Sequence, residues 1–312
     1  MADCAAMSHP GIDAIRSLLG PRTTERQTIQ ERRDSLEALA GAVPSPDGVT
    51  VEVLTVAGRP AERSIPDRVD GAGTILYLHG GAYVSGSLNT HRALSGRLAL
   101  AAARPVVALD YRLGPEHPFP AAVDDAVAAA VELAASGEPL AVAGDSAGGG
   151  LALATLVALR DRGDVTPVAG WLISPWADLT QSGATYDSRI DVDPMLARET
   201  LTDAAGDYLG AGDPTDPLAS PMMADLSGLP AVRIDVGDAE VLLDDSVVTG
   251  HRIEEAGGAA QVLVWPEMIH VFPAFPADLV PEADECLTAA GAFLAQHLAE
   301  AGAASPNTEV VS

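Results

Sequence analysis

The sequence predicts an α/β fold in which an eight-stranded, mostly parallel sheet carries helices on both faces. Three observations point there. Continuous apolar runs at Thr74–Leu78, Val106–Leu109, 140–143 and 168–173 read as strands buried on both sides, the pattern of a covered parallel sheet. Helical segments separate them, as parallel crossovers require. After a proline-rich interruption the alternation returns, with strand runs at 231–236 and Ala260–Trp265 on either side of a helical stretch at 244–256.

Taken in order, the chain opens with Ile12, Ile15, Leu18 and Leu19 at helical spacing, then Ile29, Leu36 and Leu39 after the break at Gly20-Pro21. Two helices are expected before the sheet. Val49–Val56 alternates apolar and polar side chains as a half-buried strand does, and 59–65 is expected to return beside it antiparallel. Between Pro175 and Pro230 the alternation stops; Pro194, Pro214, Pro217 and Pro221 punctuate the stretch, and one helix near 198–209 is convincing. A loop of that length inside a compact domain usually serves function, so a lid is expected. A last helix is expected over 282–298, and the residues after Gly302 read as a frayed tail.

Composition narrows the partners. A formal charge of −26 opposes binding to nucleic acid and to anionic membranes or substrates, which favours neutral ligands. No apolar run is long enough to cross a bilayer, and Met1 to Pro10 has neither a basic region nor an apolar core, so a cytoplasmic protein without membrane insertion is expected. The two cysteines, Cys4 and Cys286, make no disulfide framework, and the seven histidines show no metal spacing, so neither a metal nor another cofactor is implied. A homo-oligomer is compatible with this composition.

The chemistry gathers at Gly144-Asp145-Ser146-Ala147-Gly148-Gly149, which follows the strand run at 140–143 and precedes the apolar segment 151–159. G-x-S-x-G between strand and helix describes a nucleophile elbow, a strained turn that lifts the serine hydroxyl above the sheet edge. The helix behind it aims its free N–H groups at the same point, so a nucleophile and an anion site coincide. Upstream, Thr74–Leu78 runs into His79-Gly80-Gly81-Ala82-Tyr83, an HGG-type oxyanion loop. Downstream, one strand ends among acids and the next leads to His270, giving the chain order serine, acid, histidine.

With His79-Gly80-Gly81, Tyr111-Arg112-Leu113-Gly114-Pro115-Glu116-His117-Pro118, the elbow, Ser174-Pro175-Trp176 and Met268-Ile269-His270-Val271-Phe272, nearly the whole chain resembles the hormone-sensitive lipase family of bacterial carboxylesterases (family IV). Gly114 departs from the alanine usual there. The resemblance implies an α/β-hydrolase fold with a helical cap. Residues 1–45 would form its N-terminal part and 176–229 its insertion, over a catalytic domain of 46–175 and 230–302, with 303–312 as a flexible tail. The apolar faces of the two N-terminal helices are expected to pack on the insertion, making one cap.

The resemblance also implies roles. Ser146 is the expected nucleophile and His270 its base, with oxyanion donors at Gly80, Gly81 and Ala147. Three acids compete for the third place, Asp238, Glu240 and Asp244, and the family's spacing favours Glu240, a glutamate where aspartate is more frequent. Asp145 and Tyr111-Arg112 are expected to brace the elbow and loop. Tyr83, Met195, Leu196 and Val271 are expected to line the pocket. The activity implied is hydrolysis of short- to medium-chain neutral esters through an acyl-enzyme. A lactone hydrolase with the same triad is one alternative, and a non-catalytic small-molecule-binding protein of this fold is another.

Overall fold

The computed structural model describes residues 9–20, 26–40, 43–163 and 165–304; the tail expected from 303 lies, from 305 on, outside them, as does Cys4. Helices α1 (Pro10–Leu19) and α2 (Ile29–Ala40) precede the strands β1 (Val49–Val56) and β2 (Arg59–Pro66). Then β3 (Thr74–Leu78), α3 (Leu88–Ala102), β4 (Val106–Leu109), α4 (Ala121–Ala134), β5 (Leu140–Asp145), α5 (Ala147–Arg162) and β6 (Ala169–Ile173) alternate. The stretch after β6 holds α6 (Thr185–Ser188), α7 (Arg198–Leu209) and a 3-10 turn at Pro221–Met223. The chain closes with β7 (Ala231–Gly237), α8 (Leu243–Glu255), β8 (Ala260–Trp265) and α9 (Pro281–Ala304).

The eight strands form one sheet in the order β1-β2-β4-β3-β5-β6-β7-β8, and β2 is antiparallel to both of its neighbours. From β4 to β8 every pairing is parallel. Alternation along each strand divides the core in two. Leu76 and Leu78 of β3 join Val142 and the apolar sides of α4 and α5, whereas Ile75 and Tyr77 join Trp171 and the sides of α3 and α9. Every residue of β4, β5 and β6 is buried, which is why these runs lack polar interruption.

Local chemistry fixes the element ends that position the site. Ser87 and Thr90 form a reciprocal capping box at the start of α3, while α5 stops at Gly163, whose φ of 70° lies in the left-handed region. The helix α9 runs farther than its apolar spacing suggested, to Ala304.

The packing of α1 is broader than expected. Ile12 and Ile15 of α1 are buried in the cluster that holds Leu94, Phe272, Val280 and Leu287, and Met195 of the stretch after β6 packs against the same cluster. The approach is close: a Cβ at Gly11 would overlap the Leu279 carbonyl, and His9 meets Glu282 at 3.1 Å. The helix α2 and the residues just before it also face the stretch after β6. Arg26 lies 3.1 Å from Asp207 of α7, and Arg32 donates to the Thr200 carbonyl at 3.4 Å. The reason lies in composition: α1 is amphipathic and covers part of the core layer that holds Leu94 and Phe272, whereas α2 is mostly polar and, with Arg26 before it, reaches α7 through arginines.

Candidate active site

The C-terminal ends of β3, β5, β6, β7 and β8 converge, and each contributes a turn to the site. Ser146, between β5 and α5, has φ 54° and ψ −122°, a region that side-chain-bearing residues rarely occupy. The turn is pinned on both sides. The Ser146 N–H donates to the Ile173 carbonyl at 2.8 Å, and its own carbonyl accepts from Gly150 at 3.0 Å and Trp176 at 2.9 Å. Only glycine fits at 148, because a Cβ there would overlap the Leu78 carbonyl.

Ser146 Oγ lies 2.9 Å from His270 Nε2, and His270 Nδ1 lies 2.8 Å from Glu240 Oε2. Glu240 is fully buried and His270 is 4 % exposed. With a carboxylate, which only accepts, at Nδ1, the ring carries its proton there and leaves Nε2 to accept from the serine. The second carboxylate oxygen is held as firmly: Glu240 Oε1 accepts from Ser174 Oγ at 2.7 Å and from the Gly237 N–H at 2.6 Å. Ser174 Oγ in turn accepts from the Val271 N–H at 3.2 Å, so one hydroxyl ties the acid to the residue after the histidine. Burial pulls the His270 pKa down, but the Glu240 hydrogen bond and charge, with Asp193 and Asp145 behind them, outweigh it and leave the value raised.

The rival acids are occupied elsewhere. Asp238 Oδ1 accepts from the Glu267 N–H at 2.7 Å, and Asp244 exchanges hydrogen bonds with Thr185, each at 3.0 Å. Asp244 thus joins α8 to α6.

The oxyanion loop differs from expectation at one donor. The Gly80 N–H donates to Asp145 Oδ1 at 3.0 Å and faces His91 Nε2 at 3.3 Å, so it points into the protein and away from the serine. Among the described residues, no acceptor pairs with the N–H groups of Gly81, Ala82 or Ala147. The free donors are therefore Gly81, Ala82 and Ala147, with Ala82 replacing Gly80. Sequence reasoning missed Ala82 because alanine seldom adopts the φ of 55° found there; Gly81 (120°) and Tyr83 (62°) continue the left-handed run.

Behind the loop sits a buried polar cluster. Asp145 accepts from Tyr77 Oη at 2.7 Å and meets His91 Nε2 at 3.2 Å, and Tyr111 Oη donates to the His79 carbonyl at 2.6 Å. Burial alone would push the Asp145 carboxyl up, yet His91 and Tyr77 hold it below the ordinary range. His79, stacked on Tyr111 with ring centroids 4.3 Å apart, is lowered to about 4 by burial and by His91. His91 carried no motif; only its place one turn into α3 brings it to Asp145. Arg112 makes a two-pronged ion pair with Asp125, the closest contact 2.7 Å.

The four expected wall residues part company. Val271 is 8 % exposed with φ 52°, directly beside His270, and Met195 and Leu196 are partly buried in the turn before α7. Tyr83 is 1 % exposed, and its ring stacks on Tyr208 with centroids 3.9 Å apart. That side chain packs the interior, and its backbone shapes the loop. Among the described residues no three His, Cys, Asp or Glu side chains gather as a metal-binding group.

Comparison with known proteins shows the family. A family model for the alpha/beta hydrolase fold matches residues 75–274. The acetyl-hydrolase of Streptomyces hygroscopicus is 43% identical over 295 residues, covering 92% of this chain and 97% of that protein. Carboxylesterase NlhH of Mycobacterium tuberculosis is 32% identical over 289 residues, covering 88% and 86%. Among solved structures, an esterase from the bacterial hormone-sensitive lipase family superposes with a TM-score of 0.88 at 40% identity, over 96% of this chain and 100% of that one. EstE5 soaked with p-nitrophenyl butyrate gives 0.88 at 39%, over 93% and 99%.

Proposed function

The chain belongs to the alpha/beta hydrolase family and, within it, to the hormone-sensitive lipase family of esterases, and we propose on that footing how its own residues hydrolyse a carboxylic ester. It is a carboxylesterase. In our reading Ser146 Oγ attacks the ester carbonyl as His270 Nε2 takes its proton. Glu240 holds the imidazole in the required tautomer and balances the imidazolium charge. The tetrahedral oxyanion is received by the N–H groups of Gly81, Ala82 and Ala147, and each such donor is worth about 3 kcal/mol in the transition state. His270 then passes the proton to the leaving alcohol. In the second half a water gives its proton to His270, attacks the acyl carbon and releases the acid, and the serine recovers its proton.

One observation carries this assignment: the unbroken row Ser146 Oγ, His270, Glu240 with contacts of 2.9 and 2.8 Å. A binding protein of this fold would have no use for a buried glutamate that holds that histidine with one oxygen while its other oxygen is fixed by Ser174 and the Gly237 N–H. Neutral esters fit a chain of charge −26, and the same charge makes nucleic acid an implausible partner. Among the described residues no helix is long and apolar enough to cross a membrane. We place the enzyme in the cytoplasm on its composition. The test is covalent capture by a fluorophosphonate. Ser146 should be the residue labelled, and Ser146→Ala should lower the rate by several orders of magnitude. A label on any other serine would overturn the assignment.

A further inference from the structure

Between α6 and α7 the chain buries a carboxylate that no motif announces. Asp193 is 2 % exposed. Its Oδ1 accepts the N–H groups of Met195 at 2.8 Å and Leu196 at 2.9 Å, and its Oδ2 accepts the N–H of Val241, the residue after Glu240, at 3.0 Å. Local turn-making does not require this. Asp213 and Asp225 cap the N–H two residues on with one oxygen while staying exposed. A buried carboxylate is costly unless donors satisfy it, and here the second oxygen is satisfied from a separate loop 48 positions away.

We propose that Asp193 is a positioning residue of the ester hydrolysis, one carboxylate that sets the pocket wall at Met195 and Leu196 and the Glu240 loop relative to each other. This rests on the reading of Ser146, His270 and Glu240 as the catalytic groups. The negative charge adds a second consequence. The groups that face His270 among the described residues are Glu240 after β7, Asp193 from the stretch after β6, Asp145 at the end of β5, and Ser146 itself; the three carboxylates all favour the imidazolium. Asp193 therefore acts on the histidine through charge and on the acid through the backbone of its loop.

The geometry makes the substitution informative. An asparagine has one acceptor oxygen and one NH2, so it cannot serve both arms, and it removes the charge. Asp193→Asn should lower kcat/KM for p-nitrophenyl acetate by about tenfold to a hundredfold, the scale of a misplacement near 1 Å. It should also change the ratio of kcat/KM between acetate and hexanoate esters, and move the acid limb of the pH profile to lower pH. Asp193→Ser keeps a short acceptor for Met195 and Leu196 but cannot reach Val241, so it should show the same pH displacement with a selectivity ratio nearer the wild type. The titration of the His270 ring by NMR in a Ser146→Ala background reads the charge effect without turnover, and Asp193→Asn should lower that pKa. A His270 titration that stays at the wild-type value, or an acyl selectivity that Asp193→Asn leaves unchanged, overturns the proposal. Ser146→Ala assayed alongside keeps the two readings apart. Substantial activity there would remove the triad itself, whereas an inactive Ser146→Ala beside a wild-type-like Asp193→Asn would remove only this role for Asp193.

Discussion

Glu240 has two hydrogen-bonding jobs that one substitution can separate. Glu240→Gln keeps the shape but places an amide where a carboxylate held the histidine proton, so kcat should fall by roughly 10⁴, the scale seen when a triad acid is replaced by its amide. Asp238→Asn and Asp244→Asn should each lose far less, since their partners are Glu267 and Thr185; a steady-state comparison of the three checks this. His270 must be neutral to act, and its pKa is raised above the usual value near 6.5, so kcat/KM should fall as pH drops through a point on the alkaline side of 6.5. His79 gives the opposite sign for stability. Its folded pKa of about 4 lies below the unfolded one, so its contribution is complete above about 6.5 and is lost as pH falls toward 4. That displacement corresponds to about 3 kcal/mol. Chemical denaturation across this range should show the loss, and activity should decline before stability does.

At the level of elements, the loop after β3 and the helix α2 act together. Three consecutive residues, Gly81, Ala82 and Tyr83, hold positive φ, a conformation that side-chain-bearing residues sustain only where surroundings enforce it. Part of the enforcement comes from Arg33 of α2. It donates to the Val84 carbonyl at 2.9 Å and the Gly114 carbonyl at 3.2 Å while pairing with Glu116 at 2.8 Å, and Gly114 donates to the Tyr83 carbonyl at 2.9 Å. Arg33→Ala should therefore loosen the donors at Gly81 and Ala82 and lower kcat by roughly tenfold, more than KM changes, because the oxyanion forms only after binding. Glu116→Gln removes the ion pair but leaves both carbonyl contacts, so its kcat should stay near wild type. Equal losses in the two variants would assign the effect to the ion pair.

For the molecule as a whole, the two N-terminal helices should fail in different ways. Ile15 is 3 % exposed in the layer with Phe272 and Val280, and Ile15→Ala should cost about 2–4 kcal/mol of stability, read as a lowered Tm, with kcat near wild type at a permissive temperature. Changes on α2 should act on rate first. The stretch after β6 is tied to the first turn of α8 at two points, by Asp244 to Thr185 at the start of α6 and by Asp245 Oδ2, which accepts from the Ala177 and Asp178 N–H groups at 2.9 Å each. On our proposal that this stretch forms a cap over the site, small esters suit it, so acyl chains of roughly two to eight carbons should be preferred and emulsified long-chain triglyceride should be a poor substrate. A chain-length series of p-nitrophenyl esters, with a triglyceride emulsion beside it, checks the expectation.

What the sequence determined by itself is what depends on local pattern. The central strands were legible because burial on both faces forces uninterrupted apolar runs, β1 was legible from its alternation, and the elbow was legible because the turn at Ser146 needs glycine around it. Ser146, His270 and Glu240 could be named because motif spacing survives in one dimension. Tertiary structure decided everything that depends on which way a group points. Gly80 and Ala82 are two residues apart in one loop, yet the Gly80 N–H turns inward to Asp145 while that of Ala82 is left free, a difference of backbone rotation that no residue type encodes. It decided the acid contact as well, since Asp238, Glu240 and Asp244 lie within seven residues and only the path of the chain after β7 carries one of them to His270. The roles of Ser174, His91 and Asp193 stayed hidden for the same reason: a buried polar group takes its role from partners far away in sequence, and those distances close only when the sheet does.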